Sequence, residues 1–340
     1  MNAPWTRQFD LPTAAGSIRV REWGDPDGPL VVFHHGTPSS SIAVPGGWAG
    51  PATAGVRLCS YDRPGYGGSP STPGRTVADA AEWSRLIADA CGADRFAVLG
   101  TSGGGPHAVA TAALLPERVT ALCVDVGLGP AGFGSGGSRW SEPGVSESGP
   151  VGLGAAGRGP AGPGSTGPGS TGFASGGFRQ AGFGFDGATG MVAETVAEIT
   201  AARRGEGALR EHLSSLGDGA DALEEWFARL PPSDREVLGR PEVQHEEAVE
   251  ATEWGVHGID GWVDDDLALF AREWAFDPSR VRAATRLVYG GADVLVPASH
   301  GQAWLALLPH AELQVVPDGG HWMRDHEVEL LRWCGAAVAV

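Results

Sequence analysis

A serine, an aspartate and a histidine stand out for where they sit in the sequence. Ser102 lies in "FAVLGTSGGGPHAVA", between a β-type run and a helix-type run, with glycines at 100, 103, 104 and 105. A side chain at the tip of a tight strand-to-helix turn needs small neighbours, because larger ones clash with adjacent backbone. Such a turn lifts the hydroxyl off the sheet edge and directs the following N–H, that of Gly103, at an oxygen bound beside it. An alkyl alcohol is a poor nucleophile at neutral pH, so it needs a base, and the base needs an orienting group. His321, in "VVPDGGHWM", and Asp293, in "LVYGGADVLVP", each follow a strand-like run directly. That spacing brings both to the carboxyl edge of a parallel sheet, where open α/β folds bind ligands. Asp125, ending "VTALCVDV", is the alternative carboxylate. A second donor for a developing oxyanion is offered by "FHHGTPSSS", whose His35-Gly36 turn aims the Thr37 N–H at the same oxygen as the Gly103 N–H.

The elements that must position these residues are legible as alternation. "GSIRVREWG", "GPLVVFHH", "VRLCSYD", "RFAVLG" and "VTALCVDV" read as strands. "TVADAAEWSRLIADACG" reads as a helix capped by Thr76 and stopped at Gly92, and a second helix runs from about Gly103 to Leu115. Strand–helix alternation of this kind predicts a parallel sheet covered by helices on both faces. The rhythm breaks after Val126. Residues 127–190 are dominated by Gly, Pro, Ser and Ala and include the tandem "GPGSTGPGST". This composition buries too little apolar surface to offset its ordering entropy and is expected to be mobile. Helical patterns return over 191–275, expected as a lobe of about four helices. The α/β rhythm then resumes with "TRLVYG", "SHGQAWLALLP", "AELQVV" and a last helix from Met323. The expected organisation is therefore a core from 1–126 and 276–340, interrupted by a low-complexity stretch at 127–190 and a helical cap at 191–275.

Composition narrows the function classes. At 340 residues with a formal charge of −17, the chain is not expected to bind nucleic acid or an anionic membrane. All 24 basic residues are arginine, so lysine-dependent Schiff-base and phosphate-loop chemistry are excluded. Cys59, Cys91, Cys123 and Cys334 are far apart and read as small buried residues rather than metal ligands. No signal-like segment or long apolar run is evident, so a cytoplasmic setting is the expectation. His245-Glu246-Glu247 lacks the second histidine of a zinc helix, and Asp264-Asp265-Asp266 reads as a solvated face or a helix N-terminus. No metal or cofactor is expected, and the partner is a small-molecule substrate.

Five motifs in this order, "HHGTP", "YDRPGYGGS", "GTSGGG", "GGADVLVP" and "GGHW", resemble the α/β-hydrolase superfamily, specifically its serine hydrolases with a helical cap. The resemblance covers about residues 25–126 and 280–335. It implies a mostly parallel eight-stranded sheet, a Ser102–His321–Asp293 triad, and a structural role for Asp62 and Arg63. Serine at the nucleophile position argues against the aspartate-dependent epoxide hydrolases and haloalkane dehalogenases of the superfamily. The expected activity is cleavage of an ester, or a related acyl bond, of a small to medium apolar substrate. The alternatives are a lyase or cofactor-free oxygen chemistry on the same scaffold, and a catalytically silent ligand-binding member.

Overall fold

Short runs of β-branched and apolar residues pair into a single sheet in the order β1-β2-β4-β3-β5-β6-β7-β8. The strands are β1 (Arg7–Thr13), β2 (Gly16–Gly24), β3 (Leu30–His34), β4 (Arg57–Tyr61), β5 (Phe96–Thr101), β6 (Val119–Asp125), β7 (Ala284–Gly290) and β8 (Ala311–Val316). β1 and β2 form an antiparallel hairpin closed where Thr13 faces Gly16, and β2 lies antiparallel to β4. Every other pairing is parallel. The computed structural model describes residues 4–130, 187–216 and 220–338. They belong to one compact unit, uniting 1–133 with 183–340. The low-complexity stretch expected over 127–190 lies mostly outside the described residues.

The sheet is covered on both faces, which is why its central strands read as mostly apolar runs rather than as alternating ones. On one side Val32, Val98, Leu122 and Leu287 pack with Trp83, Ile87, Ala108 and Trp304. These come from helices α2 (Ala80–Ala90), α3 (Gly104–Leu114) and α10 (Ser299–Leu305). On the other side Val31, Leu99, Cys123 and Val288 pack with Leu330, Leu331 and Cys334 of α11 (Arg324–Val338) and with Ala54 of α1 (Gly50–Ala54). Neighbouring residues Val31 and Val32 thus serve opposite cores, as the two-residue period of a strand requires. Helix α3 is buried along nearly its whole length, and its Gly- and Ala-rich composition lets it lie close against the sheet.

Between β6 and β7 the chain forms α4 (Ala193–Arg204), α5 (Glu206–Ser215), α6 (Ala220–Arg229), α7 (Pro232–Leu238), α8 (Pro241–Trp254) and α9 (Asp260–Asp266). A π-helical turn over Leu267–Ala271 follows. The short α7 and α9 were not visible as separate helices in the sequence. Ala201, Ala202, Leu209, Leu213, Val263 and Leu267 make a small core of their own within this segment. No helix among the described residues is long and apolar enough to cross a membrane.

Candidate active site

The turn after β5 has the backbone that a projecting side chain demands. Ser102 sits at φ 52°, in the left-handed region that non-glycine residues rarely occupy. Three hydrogen bonds hold it there: Ser102 N donates to Asp125 O at 3.1 Å, while its carbonyl accepts from Gly105 N at 3.0 Å and Leu128 N at 3.1 Å. The neighbouring glycines are required by close approach. A Cβ on Gly104 would lie 2.0 Å from the His34 carbonyl oxygen and 2.5 Å from that of His35. The serine hydroxyl is half-buried, and α3 begins immediately behind it, so the partial positive charge of a helix N-terminus faces the same point.

His321 and Asp293 are joined. The imidazole Nδ1 donates to Asp293 Oδ2 at 2.8 Å, which leaves Nε2 as the basic nitrogen. Asp293 is itself fixed, because its Oδ1 accepts from Leu295 N at 2.8 Å and Val296 N at 2.9 Å in the turn after β7. Burial disfavours a charged imidazole here, but the Asp293 carboxylate outweighs it, and the His321 pKa is raised above the ordinary histidine value. The alternative acid, Asp125, is fully buried at the end of β6, where burial and the nearby Glu327 push its pKa well above the carboxylate range. The imidazole pairs with Asp293 instead. Among the described residues, Ser102 Oγ makes no hydrogen bond to His321. A longer approach is common where no substrate is bound.

The two expected oxyanion donors are neighbours: a Cβ on Gly103 would stand 2.4 Å from Thr37 Oγ1. Arg63, wholly buried, explains how the Thr37 turn is held. Its guanidinium donates to the carbonyls of His35 (2.5 Å) and Gly36 (2.6 Å) and to Thr37 Oγ1 (3.0 Å). His35 is held as the Nδ1–H tautomer, with Nδ1 donating to Gly36 O and Nε2 accepting from Arg63 N at 3.1 Å. Burial, with Arg63 alongside, keeps the His35 pKa well below the usual histidine range.

The counter-charge to Arg63 comes from an unexpected place. Asp265 accepts from Arg63 Nε (3.0 Å), Tyr66 Oη (3.0 Å) and Thr37 Oγ1 (2.8 Å), and pairs with Arg75 at 2.6 Å. The run Asp264–Asp266, read from sequence as a solvated face or helix start, is buried at the C-terminal end of α9. The correction has a physical cause: two buried guanidiniums need an anion. Burial alone would raise the Asp265 pKa, yet Arg63 and Arg75 hold it well below the carboxylate range. His300 is also buried and accepts from Gly129 N at 2.8 Å.

Helix α7 contributes a second unexpected carboxylate. Asp234 accepts from the backbone N–H groups of His321 (3.0 Å) and Trp322 (2.9 Å). The Trp322 ring lies 5.2 Å from the His321 ring and 6.0 Å from Trp226 of α6, forming an aromatic wall beside the imidazole. Leu269, from the π-helical turn, lies beside Gly103.

A family model described as the alpha/beta hydrolase fold matches residues 29–134, which carry the Thr37 turn and the Ser102 turn. The chain belongs to the α/β-hydrolase fold. Solved structures of low sequence identity share this fold. An alpha/beta hydrolase fold protein from Nakamurella multipartita is 22% identical, covers 98% of this chain and 99% of its own, and has a TM-score of 0.57. A thermophilic esterase from Thermogutta terrifontis is 16% identical over 98% and 100% of the two chains, with a TM-score of 0.58. The esterase RhEst1 from Rhodococcus sp. ECU1013 is 17% identical over 98% of each chain, also at 0.58. No curated protein sequence matches the chain.

Proposed function

We propose that this α/β-hydrolase-fold protein is a serine hydrolase that cleaves an ester, or a related acyl bond, of a small to medium apolar substrate. The observation that carries the reading is the Asp293–His321 hydrogen bond at the same sheet edge as a serine held at positive φ. Ser102 Oγ attacks the carbonyl carbon as His321 Nε2 takes its proton. Asp293 keeps the proton-bearing Nδ1 pointed away and stabilises the imidazolium that forms. The carbonyl oxygen becomes an oxyanion on the Thr37 and Gly103 amides. His321 then protonates the leaving alcohol, and water, deprotonated by the same imidazole, releases the acid from Ser102.

The substrate class follows from the wall of the site. Trp322, Trp226 and Leu269 bring apolar surface beside the reacting groups, which suits an apolar acyl or alcohol group. On this reading the helices between β6 and β7 are the cap over the site. Esterase names among the structural relatives point the same way. A panel of p-nitrophenyl esters from acetate to octanoate tests the reading. Turnover that disappears in Ser102→Ala is expected. Turnover that survives in Ser102→Ala with the fold intact contradicts the covalent step.

A further inference from the structure

We propose that Asp234 is a positioning residue for the catalytic base: from α7, in the helical segment, it fixes the loop that carries His321, so this segment sets the geometry of the triad as well as roofing the site. The inference rests on the serine-hydrolase reading for its kinetic consequence, and on geometry alone for the clamp.

The clamp is bidentate. Asp234 Oδ2 accepts from His321 N and Oδ1 from Trp322 N, so one carboxylate takes up two consecutive amides. Asp234 is fully buried and comes from 87 residues earlier in the chain. The loop is shaped to admit it, since a Cβ on Gly320 would lie 2.1 Å from Asp234 Oδ1. The sheet side of the loop is tied through other groups: Gly319 O accepts from Ala292 N at 2.8 Å, and Gly319 N donates to Val316 O at 3.0 Å. The two amides nearest the imidazole therefore depend on α7. Buried backbone N–H groups left without an acceptor are costly, so removing the carboxylate shifts the loop rather than leaving it in place.

Further contacts run between the same two parts of the chain. Trp226 of α6 meets Trp322 edge to face, and Arg324, two residues further on, pairs with Glu246 and Glu247 of α8. Helices α6, α7 and α8 thus all reach the stretch 321–324. The titratable groups around the imidazole are Asp293 after β7, Asp234 on α7, Asp125 at the end of β6 and Glu327 on α11. Asp234 adds negative charge favouring the imidazolium, the form His321 takes as the serine attacks.

The test uses the full-length protein with Asp234→Asn and Asp234→Ala, and Asp318→Asn as an exposed acid in the same loop. Amide hydrogen exchange across 318–323 reads the clamp without any substrate. Both Asp234 variants are expected to lose about ten- to hundred-fold protection there while β5 to β7 stay protected. On a short p-nitrophenyl ester, kcat is expected to fall ~10–100-fold, the cost of a small misplacement of a catalytic group, with KM nearly unchanged. The acidic limb of kcat/KM is expected to move to lower pH in Asp234→Asn, and Asp318→Asn should match the wild type in all readouts. Unchanged exchange at 318–323, or equal loss across the whole sheet, overturns the clamp. Unchanged kcat and pH limb in variants with a loosened loop overturn the positioning role. A wild type that turns over no ester defeats the serine-hydrolase reading instead, while the exchange result still decides the clamp.

Discussion

Replacing Asp265 with asparagine keeps the shape and removes the carboxylate that faces two buried guanidiniums. Arg63, Arg75 and Asp265 have no exposed side-chain surface. The carboxylate accepts from Arg63 Nε, Tyr66 Oη and Thr37 Oγ1 and lies 2.6 Å from Arg75. The amide leaves two guanidiniums without an anion and turns an N–H₂ toward a donor. Breaking a buried pair by deleting one partner costs about 3–5 kcal/mol. With an unfolding entropy near 2 cal/mol/K per residue, that lowers the melting midpoint by roughly 4–7 °C. The effect reaches the chemistry because Arg63 also holds the His35 and Gly36 carbonyls behind Thr37. Ester turnover is expected to fall about ten-fold or more as that turn relaxes. The pH dependence has a fixed sign. The folded pKa of Asp265 is depressed, so its stabilisation is complete above the unfolded value of about 3.9 and is lost only as pH falls toward the lower folded value. Thermal melts of both proteins from pH 4 to 8 should therefore run parallel and converge only in stronger acid. A loss below about 1 kcal/mol at pH 7, or a gap that closes between pH 5 and 7, would refute this account of the cluster.

Three further outcomes follow from the site and its supports. The raised His321 pKa places the acidic limb of kcat/KM above pH 6.5, and Asp293→Asn should move that limb to lower pH while cutting kcat by about 10³–10⁴-fold. Gly104→Ala drives a methyl into the His34 and His35 carbonyls, so it should lose ~1–3 kcal/mol in a urea titration together with ester turnover. Glu250 is buried beside Glu247 and its pKa is pushed up to about 8. Its unfolded form is ionised above about pH 4.3, so the folded protein loses stability as pH rises between those values. Glu250→Gln should accordingly raise the melting temperature at pH 8.5 and change it little at pH 4.

The sheet was legible because its central strands are buried on both faces and read as short apolar runs between turns. β3, β5 and β6 are visible as "LVVFH", "FAVLGT" and "VTALCVD" for that reason. β1 was not, because "RQFDLPT" is a largely exposed edge strand containing a proline, and its only partner is β2. Ser102, Asp293, His321 and the Thr37 turn stand out as candidates through local signals, each being a small or polar residue at a glycine-rich turn after a strand. The residues that brace them were hidden. Asp234 and Asp265 lie on short helices, and their roles depend on partners 87 and 202 residues away. An aspartate that clamps amides and one that faces solvent look alike until the tertiary contacts are known. The same limit explains the misreading of Asp264–Asp266, in which Asp265 answers two buried arginines.

The most direct measurement is the mass of the intact protein, followed by peptide mapping, after incubation with a fluorophosphonate. The account predicts one adduct on Ser102, formed in the wild type, absent from Ser102→Ala and strongly slowed in His321→Ala. A protein that hydrolyses esters yet carries no adduct, or carries it on a different residue, contradicts the assignment of Ser102 as the nucleophile.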